Sequence, residues 1–189
     1  SDVCSSDLLV AGITSIGPSM TLLPLGVGEH IDHRIVHAVH AALPGVVGFY
    51  EDRPYASIEH AARGRLLRIG ATVDGRTIAP SHAAVEAFMA AALVAPHVRA
   101  YVPAAEREAC LRPLAAGLAV ATPASGRLAL RSERLTFSAE VRAAAVQAVR
   151  AYGSQLADLF GEGGVAGCFA EPYAECVYWR DATASTGEA

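Results

Sequence analysis

The sequence predicts an α/β fold with a mostly parallel sheet flanked by helices. Two apolar runs, residues 20–25 and 46–50, have the length and composition of buried strands. Between them lie a glycine-rich loop ending at Gly28 and a stretch with helical periodicity, residues 33–43, for which Asp32 is the predicted N-cap. A strand, a loop, a helix and a second strand in this order form a βαβ unit, whose two strands run parallel.

The rest of the chain alternates between helical and extended patterns. Four more helices are predicted, at residues 55–67, 82–94, 104–118 (interrupted at Pro113) and 138–159. Ser81 is the predicted N-cap of the second of these, and Gly153 the predicted break in the last. Two more strands are predicted at residues 128–137 and 175–179.

Composition excludes several classes of protein. The chain has 189 residues, 52% of them hydrophobic and 18% charged, which is typical of a folded domain and too apolar for disorder. Its net charge is −4 and it has no basic run, so we expect neither nucleic acid nor an anionic membrane as a partner. The four cysteines form no C-x-x-C pair, which favours reduced thiols and a cytoplasmic protein.

The two ends of the chain differ from its middle. Residues 1–8 (SDVCSSDL) are polar and resemble the in-frame translation of a sequencing adapter, so we expect the native N-terminus to lie upstream. A genuine serine-rich tail is the alternative. Residues 9–181 are predicted to form a single domain, and residues 182–189 a polar tail.

One short segment combines several groups that could carry chemistry. His30, Asp32 and His33 follow the glycine-rich loop, where a predicted strand ends and a predicted helix begins. Open α/β sheets bind ligands at such places. His33 could bind a metal through a ring nitrogen, while Asp32 could orient a neighbouring imidazole and keep it protonated. Histidine and aspartate also occur together in loops by chance, so this pattern alone does not specify a site.

Other histidines suggest weaker hypotheses. His33 and His37 have the i, i+4 spacing of a zincin-type metal site, but Arg34 stands where that motif needs glutamate. His37 and His40 are therefore expected to flank the apolar face of the helix. Three further histidines have no partners in sequence and are expected to be solvent-facing or satisfied in the core: His60, His82 and His97.

Four stretches together resemble a known enzyme family. Residues 24–34 (PLGVGEHIDHR) resemble the second motif of the PIG-L (LmbE-like) deacetylases, an H-x-D-H preceded by a glycine-rich loop. Residues 50–56 (YEDRPYA) are similar to a YEDxPYA stretch in a bacterial branch of that family. Residues 151–156 (AYGSQL) resemble its YxSQ helix segment, and residues 173–179 (YAECVYW) its closing strand. The resemblance extends from residue 20 to residue 179, in the expected order.

The resemblance implies a Rossmann-like fold and a mononuclear zinc site that hydrolyses the N-acetyl group of an acetamido-sugar-type substrate. It implies that His33 is the third zinc ligand, that His30 is the imidazolium that stabilises the oxyanion, and that Asp32 orients His30. The family's other two ligands and its general base come from an HPDDE-like motif, which this sequence lacks. We therefore expect the first βα unit to be missing, with no zinc retained and no activity in this chain. A non-catalytic binding module is the alternative.

The segment after the second strand is a further candidate region. Glu51, Asp52, Arg53 and Tyr55 could line the substrate side of the site, because they follow a strand end. Alternatively, Asp52 and Arg53 form a loop ion pair and Pro54 begins a helix. Five polar residues are expected to hold the last helix and strand together: Tyr152, Ser154, Gln155, Tyr173 and Glu175.

Overall fold

The computed structural model describes residues 5–120, 128–151, 153, 156–161, 164–169 and 174–181. Within them the strands are β1 (Met20–Pro24), β2 (Val46–Tyr50), β3 (Thr72–Val73), β4 (Arg76–Thr77), β5 (Ala129–Thr136) and β6 (Ala174–Arg180). The α-helices are α1 (Ser5–Ile16), α2 (Ile31–Ala38), α3 (Ala61–Arg68), α4 (His82–Val94), α5 (Pro96–Tyr101), α6 (Arg107–Ala116), α7 (Ala139–Arg150), α8 (Leu156–Phe160) and α9 (Gly164–Cys168). Two 3-10 turns lie at Val39–Ala42 and Tyr55–Ser57.

The described strands form one six-stranded mixed sheet in the order β1-β2-β6-β5-β3-β4. The α/β class is confirmed, but the expected predominance of parallel pairs is wrong. The pairs β1–β2 and β3–β5 are parallel, whereas β2–β6, β5–β6 and β3–β4 are antiparallel. The last strand inserts between β2 and β5 and runs against both. Apolar patterning predicts that a segment is a strand but carries no information about its direction.

The predicted βαβ unit is present as β1, α2 and β2. Met20 pairs with Val46, and the parallel register continues to Pro24 and Tyr50. Buried side chains from both strands and from the following loop join the main core: Leu23, Leu25, Val47 and Phe49. The predicted cap of the helix is wrong, because α2 begins at Ile31 and His30 is its N-cap. Asp32 instead lies in the first turn, where a carboxylate is favoured by the helix dipole.

The other predicted helices match the structure to different degrees. Helix α4 has its predicted bounds, and Ser81 Oγ accepts a hydrogen bond from the Ala84 N–H at 3.2 Å. The predicted helix at residues 55–67 is instead a 3-10 turn followed by α3. Pro113 lies inside α6 and does not interrupt it, although a proline removes one hydrogen bond from the helix. The long C-terminal helix is divided into α7 and α8.

Strand β1 lies at one end of the sheet and bears apolar side chains that are exposed to solvent. Met20 and Leu22 of β1 are exposed, as is Val46 at the start of β2. Trp179 packs over the neighbouring backbone, because a Cβ added at Gly48 would lie 2.7 Å from the indole ring. No helix within the described residues combines the length and the apolar character needed to cross a lipid bilayer.

His37 lies in the core beneath β1 and β2. Its Nδ1 is 3.2 Å from the Pro24 carbonyl oxygen, and its ring centroid is 4.7 Å from that of Phe49. Burial lowers the pKa of His37 from 6.5 to about 4; the charges of Arg65 and His40 lower it as well, against the Pro24 carbonyl and Glu29, which raise it. The zincin-type pairing of His33 with His37 is therefore wrong, since His37 faces the core.

This burial predicts a stability that depends on pH. Below pH 6.5 the unfolded chain binds a proton at His37 that the folded chain does not, so stability falls with decreasing pH until about pH 4. Below about pH 4, this effect of His37 lowers the unfolding free energy by about 3 kcal/mol relative to neutral pH. His37→Gln should flatten the dependence of the unfolding free energy on pH in urea titrations between pH 4 and 7. His82→Gln, at an exposed histidine, is the control. Equal slopes for His37→Gln and the unmodified chain would contradict the prediction.

Candidate active site

The candidate site lies at the carboxyl ends of β1 and β2. Because these strands are parallel, the loop after β1 and the loop after β2 meet at the same edge of the sheet. The first loop carries His30 and leads into α2, which carries His33. The second carries Asp52 and Arg53. The βαβ unit thus brings His33 close to Asp52, although they are about twenty residues apart in sequence.

Glu29 and two arginines of α3 fix the shape of the first loop. Glu29 has a φ of 57°, a left-handed conformation that is uncommon for a residue with a side chain. Its Oε1 accepts hydrogen bonds from Arg65 at 3.2 Å and from Arg68 at 2.8 Å. Arg65 Nε also donates to the Leu25 carbonyl at 3.0 Å. The loop is therefore held at both its side chain and its backbone.

The ion pair between Arg65 and Glu29 is important for stability because Arg65 is buried. Its side chain is buried, and burial lowers its pKa, an effect that the Glu29 carboxylate opposes most strongly. A buried guanidinium without a counter-charge would cost several kcal/mol. We infer that Glu29 compensates the charge of Arg65 and that the loop conformation follows from this pairing.

Asp52 is the buried carboxylate at the centre of the site. Its side chain is only 1% exposed, and its Oδ2 accepts a hydrogen bond of 2.5 Å from the Val27 N–H. The same oxygen lies 3.7 Å from His33 Nδ1, a distance that indicates an electrostatic contact rather than a hydrogen bond. Burial raises the pKa of Asp52, while the Val27 N–H and His33 act in the opposite direction.

The position of Asp52 determines how His33 is presented. Because Nδ1 faces the carboxylate, Nε2 is the ring nitrogen that remains for a ligand. In many metalloproteins a carboxylate accepts a hydrogen bond from the outer nitrogen of a metal-binding imidazole, whereas here the two atoms are 3.7 Å apart. Sequence patterns had pointed to Asp52 as a substrate-side residue or as the partner of Arg53. In the structure it supports His33 instead.

His30 and Asp32 form a second, looser pair at the surface. His30 Nδ1 accepts a hydrogen bond of 3.4 Å from the Asp32 N–H and lies 3.7 Å from Asp32 Oδ2. The side chains of His30 and Asp32 are 48% and 75% exposed, so their attraction is worth at most about 1 kcal/mol. The ring centroids of His30 and His33 are 5.5 Å apart. The structure thus brings together the three residues of the H-x-D-H motif.

Tyr55 covers the glycine-rich loop. A Cβ added at Gly28 would lie 2.3 Å from the Tyr55 ring, so only glycine allows this contact. The ring also meets His33 edge-on at 6.2 Å and His97 edge-on at 5.2 Å between centroids. Tyr55 therefore connects His33 to His97 of α5.

These groups border a cavity of about 700 Å³. Its polar lining includes His30, Asp32, His33, Arg53 and the ring of Tyr55. His97 also lines it, although its isolated position in the sequence had suggested a solvent-facing or satisfied histidine. No local pattern could have identified His97, because α5 reaches the cavity only through the packing of the helices.

The remaining predicted residues lie around this site in different roles. Glu51 does not line the cavity among the described residues; its Oε1 accepts a 3.0 Å hydrogen bond from the Tyr178 hydroxyl. Arg53 Nε lies 3.6 Å from Glu175 Oε1 and so forms an ion pair with β6. Four residues expected to hold the C-terminal elements together lie outside the described residues: Tyr152, Ser154, Gln155 and Tyr173.

The described residues do not by themselves complete a zinc site. Within that part of the chain, no group of three or more His, Cys, Asp or Glu side chains is arranged to hold a metal ion. Catalytic zinc ordinarily needs three protein ligands. Nδ1 of His33 is buried without a hydrogen bond, and the Asp52 carboxylate lies 3.7 Å from it.

Comparison with known proteins adds no family assignment. No family model matches the chain, and neither curated proteins nor solved structures gave a match.

The clamp on the first loop predicts a large effect at Glu29. Glu29→Gln should lower the free energy of unfolding by about 1–3 kcal/mol, because it leaves the buried Arg65 without a counter-charge. Chemical denaturation measures the change. Glu108→Gln is the matched control, since it removes an exposed i, i+4 pair with Arg112 and should cost less than about 0.5 kcal/mol. Similar losses in both variants would contradict a specific role for Glu29.

The contact between Gly28 and Tyr55 predicts a second effect. Gly28→Ala should displace the Tyr55 ring and destabilise the fold by about 1–3 kcal/mol through overpacking. It should also shift the ring resonances of His97, which contacts Tyr55. Gly12→Ala is the control: nothing lies within 4 Å of its added Cβ, and alanine should stabilise α1 by about 0.5–1 kcal/mol. Unchanged His97 resonances in Gly28→Ala would overturn the prediction.

Proposed function

We propose that this chain carries part of the active site of a zinc-dependent hydrolase that removes an N-acetyl group from an amino-sugar-type substrate, as the PIG-L-like motifs imply. One observation carries the proposal. Two imidazole–carboxylate pairs, His30 with Asp32 and His33 with Asp52, lie side by side at the edge of a 700 Å³ cavity. Acyl transfer requires groups that hold the amide and stabilise charge on its oxygen, and oriented imidazoles can do both.

His33 is the proposed metal ligand. In the intact enzyme, zinc would polarise the amide carbonyl and supply an activated water. The described residues offer a single ligand, so the proposal assigns the other two and the general base to an HPDDE-like segment that this sequence lacks. Asp52 is the proposed positioning residue behind His33. We accordingly propose that the chain as given neither retains zinc nor turns over substrate.

His30 is the proposed donor to the oxyanion. Its side chain is half exposed at the mouth of the cavity, where a substrate carbonyl can reach it. Because His30 Nδ1 accepts from the Asp32 N–H, the ring carries its proton on Nε2, which can donate a hydrogen bond when negative charge develops on oxygen. Arg53 and Tyr55 line the same cavity and are proposed to contact the substrate.

A Rossmann-like arrangement and a cytoplasmic location belong to the same proposal. The β1–α2–β2 unit supports the first, with the site at the carboxyl ends of parallel strands. For the second, the described cysteines Cys110, Cys168 and Cys176 are free thiols, as in reduced compartments.

A non-catalytic binding module is the second candidate. It is favoured by the same limited ligand set, since the described residues supply a cavity but no group of three metal-binding side chains. Such a module would bind the acetamido compound and leave it unchanged.

Acetate release from N-acetylglucosamine-type substrates in the presence of Zn²⁺ separates the two candidates. The 189-residue chain should release none, whereas an extended protein that carries an HPDDE-like segment before residue 9 should be active. In that protein, His33→Ala should lower kcat/KM by at least about 100-fold, and His30→Ala by about 10²–10³-fold. His82→Ala is the control, at an exposed histidine outside the cavity lining.

Two results would contradict the proposal. Without acetate release from the extended protein, the binding module is the better description. Tight binding of one zinc ion per 189-residue chain after dialysis would contradict the proposal that this chain supplies a single zinc ligand.

A further inference from the structure

The cavity has an apolar part that the proposed chemistry does not use. Beyond the polar groups near His33, its lining comes mainly from helices, which contribute hydrocarbon side chains. These are Phe88 of α4, Val98 of α5, Leu111 and Leu114 of α6, and Leu159 of α8. We call this set the apolar wing. A fully hydroxylated sugar would lose its hydrogen bonds to water there without replacing them, which is costly.

His97 is the polar group within the apolar wing. His97 is only 5% exposed, and neither ring nitrogen makes a well-formed hydrogen bond; the Leu159 carbonyl can interact with only one of the two. Buried polar groups are nearly always hydrogen-bonded, so an imidazole in this state on a cavity wall points to a missing partner. Tyr55 meets the ring edge-on at 5.2 Å and holds its orientation.

The protonation state of His97 agrees with a neutral hydrogen-bonding role. Burial lowers its pKa, and the Leu159 carbonyl opposes this only in part. A neutral imidazole offers one donor and one acceptor, so it can bond to a hydroxyl, an ether or an amide of a ligand.

We propose that the cavity takes an amphipathic N-acetylated compound, with its acetamido group near His30 and His33 and a hydrocarbon or aryl substituent in the apolar wing, where His97 hydrogen-bonds to it. The assignment of the acetamido end rests on the proposed function; the apolar wing and the role of His97 do not. A volume of 700 Å³ lies within the roughly 300–1,000 Å³ range of pockets for drug-sized ligands and leaves room for such a substituent.

Cys110 provides a measurement that does not depend on turnover. It is a free, exposed cysteine that lines the cavity, so a bound ligand should slow its alkylation by iodoacetamide. Peptide mass spectrometry of the 189-residue chain distinguishes it from Cys176, a half-buried thiol outside the cavity lining that serves as the internal reference. The probes are N-acetylglucosamine, its hexyl glycoside, and hexyl glucoside without the acetamido group.

The expected result is protection of Cys110, but not of Cys176, at far lower concentrations of the hexyl glycoside than of N-acetylglucosamine. Each fully buried methylene strengthens binding about fourfold, so the five methylenes and terminal methyl of a partly buried hexyl chain should give at least about 30-fold. Equal potency of the two compounds would overturn the proposal, and so would the absence of protection by any probe.

Hexyl glucoside separates the two hypotheses. If it protects Cys110 as well as the acetamido compound does, the apolar wing is supported while the proposed function fails. If the hexyl glycoside of N-acetylglucosamine protects and hexyl glucoside does not, the apolar wing and the proposed function are both supported.

Two sets of variants test the residues. His97→Phe should weaken binding of the hexyl glycoside about 5–10-fold by removing one hydrogen bond, whereas His97→Gln, which can still donate and accept, should stay within about threefold. Leu114→Gln should abolish the advantage of the hexyl chain and leave N-acetylglucosamine unaffected. Thermal unfolding of each variant checks folding. Equal binding by His97→Phe and the unmodified chain would remove His97 from the proposal.

Discussion

The site depends on the burial of one carboxylate at the end of β2. Asp52 is removed from water, which is costly for a charged group, and the Val27 N–H and the His33 imidazole offset that cost. One side chain thereby connects the second strand, the loop after the first strand and the first turn of α2. Because all three meet at Asp52, the geometry of the H-x-D-H segment follows from the sheet and not from the loop alone.

A second charge pairing stabilises the same loop from its other side. Glu29 adopts a left-handed backbone conformation, which persists only where surrounding contacts compensate for it. Arg65 and Arg68 supply those contacts from α3. With Asp52 holding the backbone at Val27, the loop has little freedom to rearrange. The backbone that leads to His33 is therefore held in place by buried contacts before any ligand arrives.

The sequence predicts what is encoded locally and misses what depends on distant contacts. Ser81 specifies the start of α4 because its hydroxyl caps the helix three residues later. The H-x-D-H segment could be located because a strand, a glycine loop and a helix follow one another. The support of His33 by Asp52 joins residues far apart in sequence, and the exposure of His97 to the cavity depends on helix packing. Neither of these two contacts produces a periodic pattern in the sequence. The antiparallel direction of β6 does not produce one either.

The division of the cavity separates chemistry from affinity. Its polar side is built by the loops of the parallel strands, and its apolar wing by the helices α4, α5, α6 and α8. Tyr55 is the connection, since its ring contacts both His33 and His97. Under the proposed function, binding energy from the apolar wing would position an amide at His30 and His33 without taking part in its cleavage. An enzyme and a binding module would share this wing, and they would differ only in whether further ligands join His33.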